Sequence, residues 1–335
     1  MHDDPARLDD FLHASGLAAA HETARWTPLA GGVSSDIWRV DLPGRSLCVK
    51  RALPRLKVAA EWHAPTSRNA SEWAWIRFAA GHVPLHVPQP LAHDPDAGLF
   101  AMSFLEPARY PVWKRQLMDG EVDVGTARAV GSVLARIHAA SAGDATVARE
   151  FATLDNFRAL RLEPYLIATG RRHPDLAARL GALAQRTGEA SIALVHGDVS
   201  PKNILVGANG PVLLDAECAW YGDPAFDIAF CLNHLLLKCL LRRDLRESYL
   251  AGFEALRAAY CVAVDWESAA SLEARAAALL PGLLLARIDG KSPVEYLLGR
   301  DADQALVRNT ARGLLLQPHA RLDEVADAWR AALVA

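Results

Sequence analysis

Long hydrophobic runs are missing from this chain of 335 residues. The longest, Ile228 to Leu241, falls short of the ~20 residues a bilayer-spanning helix needs. Asn233, His234 and Lys238 also interrupt it, so it predicts a buried helix, and no membrane partner is expected. An excess of charge of one sign is missing too. The 36 Lys and Arg stand against 39 Asp and Glu, for a net charge of −3, so no nucleic-acid partner is expected. Cysteine is scarce, and Cys48, Cys218, Cys231, Cys239 and Cys261 form no CxxC pair and no disulfide-like spacing. Free apolar thiols in a reducing cytoplasm are the expectation. The N-terminal MHDDPARLDD is acidic and polar, unlike a signal peptide. The length suits two lobes with a substantial core.

What the chain does have is concentrated between Leu194 and Asp227. LVHGDVSPKNILV is followed by a Gly-rich turn and then by PVLLDAECAWYGDPAFD. Val212 to Leu214 predicts a buried strand with Asp215 at its end. His196, Asp198 and Asn203 fall on the loop between Val195 and a strand over Ile204 to Val206. A phosphoryl-transfer site needs such a set. One carboxylate, Asp198, orients and deprotonates an attacking hydroxyl. An amide, Asn203, and a second carboxylate, Asp215, hold Mg²⁺ against nucleotide phosphates, with Glu217 as a further oxygen ligand.

These residues resemble the HGDxxxxN and DxE motifs of the aminoglycoside phosphotransferase-like kinases, a family with aminoglycoside, choline, homoserine and methylthioribose kinases among its members. The resemblance runs from about Leu29 to Leu316. It implies an α+β, protein-kinase-like fold of two lobes: a small antiparallel sheet with one helix over residues 1–105, and a mostly helical lobe over residues 106–335. It implies ATP and Mg²⁺ as cofactors and a small-molecule hydroxyl as acceptor. A protein substrate is disfavoured: only about a dozen residues separate Asp215 from Asp227, no APE closes the segment, and the loop reads HGD rather than HRD.

In the first lobe, strands are expected over Trp26–Leu29, Ile37–Leu42 and Leu47–Lys50. Gly31, Gly32, Ser34 and Ser35 fall at the first hairpin tip, where backbone N–H groups and hydroxyls can meet phosphate oxygens. Lys50, ending its strand, is the candidate for the α- and β-phosphates. A helix is expected from about Ser67 to Ala80, with Glu72 as the partner of Lys50 and Glu61 as the competing candidate. A strand over Leu99–Leu105 leads to the hinge, and Met102 and Phe104 are expected to line the adenine slot. The order Lys50, Ala52-Leu53-Pro54, Trp62, Pro65, Arg68, Glu72 resembles the methylthioribose kinases, although His63 and Ala64 separate Trp62 from Pro65.

Further along, Tyr110, Trp113 and Lys114 are expected to pack rather than to edge the site. His138, on the apolar face of a helix over Val124–Ala142, is expected to be a satisfied core histidine. Leu160–Tyr165 and AWYGDPAFDIAF again resemble methylthioribose kinase segments. Those enzymes have Ser at the metal-binding position, whereas this chain has Asn203. Ser200 replaces the family's usual His and Lys202 a Gly. Lys202 is either a γ-phosphate contact or a solvent-facing loop residue. Asp227 is expected to cap the helix that follows and tie it to the catalytic loop. Late helices are expected over Arg243–Tyr260, Ser268–Leu285, Ala302–Leu316 and Leu322–Leu333. Arg287 is either a substrate contact, as the resemblance implies, or an ion-pair partner of Asp289 or Glu295.

Three readings follow. The first is an ATP-dependent kinase of a sugar-like metabolite. The second is a kinase of an aminoglycoside or an amino alcohol of the choline or homoserine kind. The third is a nucleotide-binding, catalytically silent regulator, which the full set of Lys50, Asp198, Asn203 and Asp215 disfavours. A homodimer is the expectation carried over from methylthioribose kinases.

Overall fold

The computed structural model describes residues 5–29, 35–53 and 67–334. Gly31, Gly32 and Ser34 lie outside them, as do Glu61, Trp62 and Pro65. Five antiparallel strands form the first layer: β1 (Arg25–Pro28), β2 (Ser35–Leu42), β3 (Arg45–Ala52), β4 (Pro90–Asp94) and β5 (Leu99–Ser103), in the order β1-β2-β3-β5-β4. The β2–β3 hairpin turns at Pro43-Gly44 and pairs Leu42 with Arg45 and Ile37 with Lys50.

The two faces of this sheet do different work, because successive side chains on a strand alternate. Trp38, Val40, Leu42, Leu47, Val49, Leu99 and Ala101 pack with Leu8, Phe11 and Leu12 of the N-terminal helix Pro5–Ala14. The opposite face carries Cys48, Lys50, Phe100 and Met102. There the helix Arg68–His82 packs, with Trp73 6.0 Å from Phe100 between ring centroids.

The second lobe is helical around the Ala225–Leu241 helix, which is buried from Ala225 to Leu240. The helices Arg246–Cys261 and Ala269–Asp289 pack on it. Arg246–Cys261 also crosses Val124–Ser141 closely: a Cβ at Gly131 would lie 2.3 Å from the Leu256 carbonyl oxygen. Ala269–Asp289 is long and apolar enough to cross a membrane, but Leu272, Ala276, Leu279, Leu280, Leu283 and Leu284 are buried in this core. Two small hairpin-like sheets carry the loop of interest. β6 (Ala193–Val195) pairs with β9 (Trp220–Gly222), and β7 (Ile204–Gly207) with β8 (Gly210–Leu213).

Candidate active site

The HGD loop is held by its own backbone needs. It leaves β6 at His196 and must turn at once, and Gly197 supplies φ of +79° there. Any side chain would collide, since a Cβ at Gly197 would stand 2.6 Å from the Cys218 carbonyl oxygen. The freed amides need acceptors. Asp227 provides both: His196 N donates to its Oδ2 at 2.8 Å and Gly197 N to its Oδ1 at 2.9 Å. Asp227 therefore ties the loop as expected but does not cap its helix, which begins earlier, at Ala225, with Pro224 before it. His138 is the core histidine expected, with Nε2 3.2 Å from Asp227 Oδ2 and Nδ1 2.7 Å from the Tyr260 hydroxyl.

His196 braces the loop to the strand beside it. Asp198 N donates to its Nδ1 at 3.1 Å, which assigns the proton to Nε2, 3.0 Å from the Leu214 carbonyl oxygen. Burial holds this imidazole below its usual pKa and thus neutral. β8 then delivers Asp215, whose backbone takes φ of +68°, a left-handed conformation that Asp tolerates better than most residues and that concentrates at functional sites.

Two charge clusters result. In the first, Lys50 Nζ lies 2.7 Å from Glu72 Oε2 and also pairs with Asp215 Oδ1. Burial opposes charge on this lysine, but the Asp215, Glu72 and Glu217 carboxylates hold it above its usual pKa. Burial raises Glu72 against the pull of Lys50. Burial also opposes ionisation of Asp215, yet Lys50 and Lys202 pull it below the carboxylate range. Glu72 thus pairs with Lys50 as expected, and Asp215 is a second partner among the described residues. Arg68, fully buried on the same helix, places Nε 2.9 Å from Glu217 Oε2. The Glu217 carboxylate is therefore engaged by a guanidinium, which the metal-ligand expectation did not include.

The second cluster surrounds Asp198. Its Oδ2 receives Asn203 Nδ2 at 2.8 Å and lies 2.8 Å from Arg161 Nη2 and 3.2 Å from Lys202 Nζ. These contacts converge on one oxygen, Oδ2. Arg161 was not anticipated. It sits in a stretch of wide i→i+5 helical turns, Arg158–Ile167, that accommodates Pro164, and its Nε donates to the Gly197 carbonyl oxygen at 2.7 Å.

Both clusters open on one cleft of about 680 Å³. Ser35, Lys50, Glu72, Met102, Phe104, Asp198, Lys202, Asn203, Asp215, Glu217 and Arg287 all line it, so the described candidate residues are brought together. Ser200, also lining it, buries a hydroxyl with no hydrogen-bond partner among the described residues. Lys114 corrects an expectation: it edges the cleft, paired with Glu295, while Trp113 beside it is buried packing. Arg287 pairs with neither Asp289 nor Glu295. Its Nη1 donates to the Tyr165 hydroxyl at 3.1 Å and to Ser292 Oγ at 3.0 Å.

Curated methylthioribose kinases are similar to this chain. That of Bacillus cereus (strain B4264) is 25% identical over 248 residues, 66% of this chain and 63% of that enzyme. That of strain G9842 is 24% identical over 271 residues, 73% and 67%. The chain thus spans just under two thirds of the length of the first of these relatives. Among solved structures, the amicoumacin kinase hAmiN in complex with AMP-PNP, Ca²⁺ and Ami superposes with a TM-score of 0.54 at 16% identity, over 96% of this chain and 98% of that one. A choline/ethanolamine kinase family protein from Mesorhizobium loti gives 0.51 at 18% identity, over 98% and 100%. These likenesses show a protein-kinase-like fold. The model of the phosphotransferase enzyme family (APH) matches residues 25–272, and the chain belongs to that family.

Proposed function

We propose that this protein transfers the γ-phosphoryl group of ATP to a hydroxyl of a small molecule. One observation carries the reading: the Lys50–Glu72–Asp215 cluster and the Asp198–Asn203–Arg161 cluster face a single cleft. Lys50, fixed by two carboxylates, is the phosphate-binding cation. Asp198, loaded with donors on Oδ2, keeps Oδ1 for the acceptor. The acceptor oxygen attacks the γ-phosphorus, its proton passes to Asp198, and the bond to the β–γ bridging oxygen breaks to release ADP. The work is positioning and charge neutralisation.

The residues present fit Mg²⁺. Asn203 spends its amide nitrogen on Asp198, which leaves its carbonyl oxygen, and Asp215 supplies a carboxylate. A hard cation that keeps water and phosphate oxygens in its shell needs few protein ligands. Asn203 and Asp215 would hold it, and it would neutralise charge on the phosphates. Met102 and Phe104 would flank the base.

The acceptor is a small hydroxyl compound of sugar-like character. Similarity to methylthioribose kinases supports this. The polycationic aminoglycoside is disfavoured by the lining of the cleft, where Lys114, Arg161, Lys202, Lys238 and Arg287 outnumber the carboxylates at the acceptor end. A coupled ADP-release assay over pentoses, sugar acids, amino alcohols and aminoglycosides tests the reading. Turnover should require Mg²⁺ and fall ~10²–10⁴-fold in Asp198→Asn, the usual loss for a general base. ATP consumption identical in wild type and Asp215→Ala would instead establish a silent nucleotide binder.

A further inference from the structure

At the acceptor end of the cleft, two basic side chains, Lys238 and Arg287, form no ion pair among the described residues, although the Glu295 carboxylate acts on both from a distance. Lys238 is 1% exposed on the central helix Ala225–Leu241. Its ammonium has no hydrogen-bond or ion-pair partner among the described residues and rests 4.6 Å from the centroid of the Tyr296 ring. Among the described residues Arg287 hydrogen-bonds only neutral groups, the Tyr165 hydroxyl and Ser292, and its buried Nε has no acceptor. The Tyr296 hydroxyl is buried and has no hydrogen-bond partner among the described residues either. Lys238, Arg287, Ser292 and Tyr296 all line the cleft. The one carboxylate beside them, Glu295, is already paired with Lys114.

A buried charge without a partner costs several kcal/mol, and such groups concentrate where a ligand supplies what is missing. The residues also connect to the chemistry. The Arg161 and Arg287 guanidinium carbons lie 5.9 and 5.7 Å from the centroid of the Tyr165 ring, and Arg161 grips Asp198. One row of contacts therefore runs from Asp198 through Arg161 and Tyr165 to Arg287. We infer that the acceptor carries an anionic group, a carboxylate or a phosphate, which Lys238 and Arg287 receive while Asp198 receives its hydroxyl. The local field agrees. Burial, with Lys114 and Arg287, lowers Lys238 to about 7, against Glu295. Burial, with the surrounding cations, drives His234 well below its usual range, so that imidazole is neutral and adds no competing charge.

The substrate class is thus a hydroxy acid, a sugar acid or a sugar phosphate. This inference rests on the phosphotransferase reading, and the test separates the two. Protein saturated with AMP-PNP and Mg²⁺, so that its nucleotide phosphate subsites are filled, is titrated by calorimetry with inorganic phosphate and, separately, with acetate. Saturable binding of at least one of them to one site is expected, weakened at least tenfold in Lys238→Met and in Arg287→Gln. The ion preferred distinguishes phosphate from carboxylate. In turnover, gluconate or glucose 6-phosphate should outperform glucose by at least tenfold in kcat/KM, and Lys238→Met should erase that preference. Absence of saturable anion binding to the nucleotide-loaded wild type, or binding indifferent to both substitutions, overturns the inference. Failure of AMP-PNP itself to bind overturns the phosphotransferase reading instead.

Discussion

The two ends of the cleft treat buried charge in opposite ways. At the nucleotide end, Lys50 is clasped by Glu72 and Asp215 before any ligand arrives. At the acceptor end, Lys238 is as deeply buried, rests on an aromatic ring and has no hydrogen-bond or ion-pair partner among the described residues. The difference separates a preformed site from a receptive one. Lys50 is positioned by two carboxylates of its own fold. Lys238 is held by packing alone, and its missing counter-charge is a statement about the ligand. A buried pair is costly to break, whereas an isolated buried charge is costly to keep.

The comparison breaks most visibly through Lys50→Met. Glu72 would lose its cation while remaining almost fully buried. We expect a loss of about 3–5 kcal/mol in urea unfolding, the usual cost of removing one partner of a buried pair. Without Lys50, burial raises Glu72 further. A carboxyl whose folded pKa lies above its unfolded value destabilises once pH exceeds the unfolded value. The deficit should therefore shrink as pH falls toward the ordinary carboxylate range. A deficit below about 1 kcal/mol at pH 7 would mean that the nucleotide end is not a preformed pair.

Arg161→Met tests the junction between the two ends. Truncating a buried, hydrogen-bonded charge partner costs about 2–5 kcal/mol, here shared between stability and the placement of Asp198. Because Arg161 touches Asp198 and Gly197 rather than the nucleotide, kcat should fall at least tenfold while KM for ATP stays within about twofold. A rise in KM for ATP with kcat intact would move Arg161 to a different role.

How much of this was legible beforehand differs between the same regions. The nucleotide end was readable because its residues are set by local rules. Alternation on β3 puts Lys50 on the cleft face, helical spacing brings Glu72 to it, and strand β8 ends at Leu213, two residues before Asp215. The acceptor end is assembled from distant segments with weaker signals. Arg161 depends on i→i+5 turns across Pro164, and a proline inside a helical pattern reads as a break. Arg287 was singled out, but its charged neighbours proved to be committed elsewhere. Asp289 accepts from Arg308 Nε at 2.7 Å and lies 2.8 Å from His173 Nε2. Lys238 did have a signal: with His234 it lies four residues apart, hence on one helix face, inside an otherwise apolar run. Asp227 was placed correctly against the loop and wrongly as a cap. Orphan amides at His196 and Gly197 outbid the helix terminus.

Lys238→Met sharpens the contrast from the other side. The unfolded lysine titrates near 10.5 and the folded one near 7. The folded state thus binds fewer protons across that window, so stability rises with pH there and the full penalty is present below about 7. Removing the charge should stabilise the unliganded protein by about 1–3 kcal/mol at pH 7, with the gain fading as pH approaches 10. The same substitution should weaken anion binding at least tenfold, so stability and function should move in opposite directions. Destabilisation by Lys238→Met would show that the ammonium has a structural partner.

The smallest effect concerns the pair at the rim. Lys114 and Glu295 are partly exposed, at 30% and 57%, and an exposed ion pair contributes about 0–1 kcal/mol. Glu295→Gln should therefore leave the unfolding midpoint nearly unchanged. It would, however, remove the one carboxylate placed beside Lys238 and Arg287. If the acceptor end is an anion receptor held in check by Glu295, the affinity for inorganic phosphate or acetate should rise about two- to fivefold at low ionic strength. That gain should largely disappear near 1 M salt, where screening shortens the reach of exposed charge to about 3 Å. An affinity that falls instead would mean that Glu295 accepts a hydrogen bond from the substrate, and that the receptor recognises a hydroxyl at its rim as well as an anion in its depth.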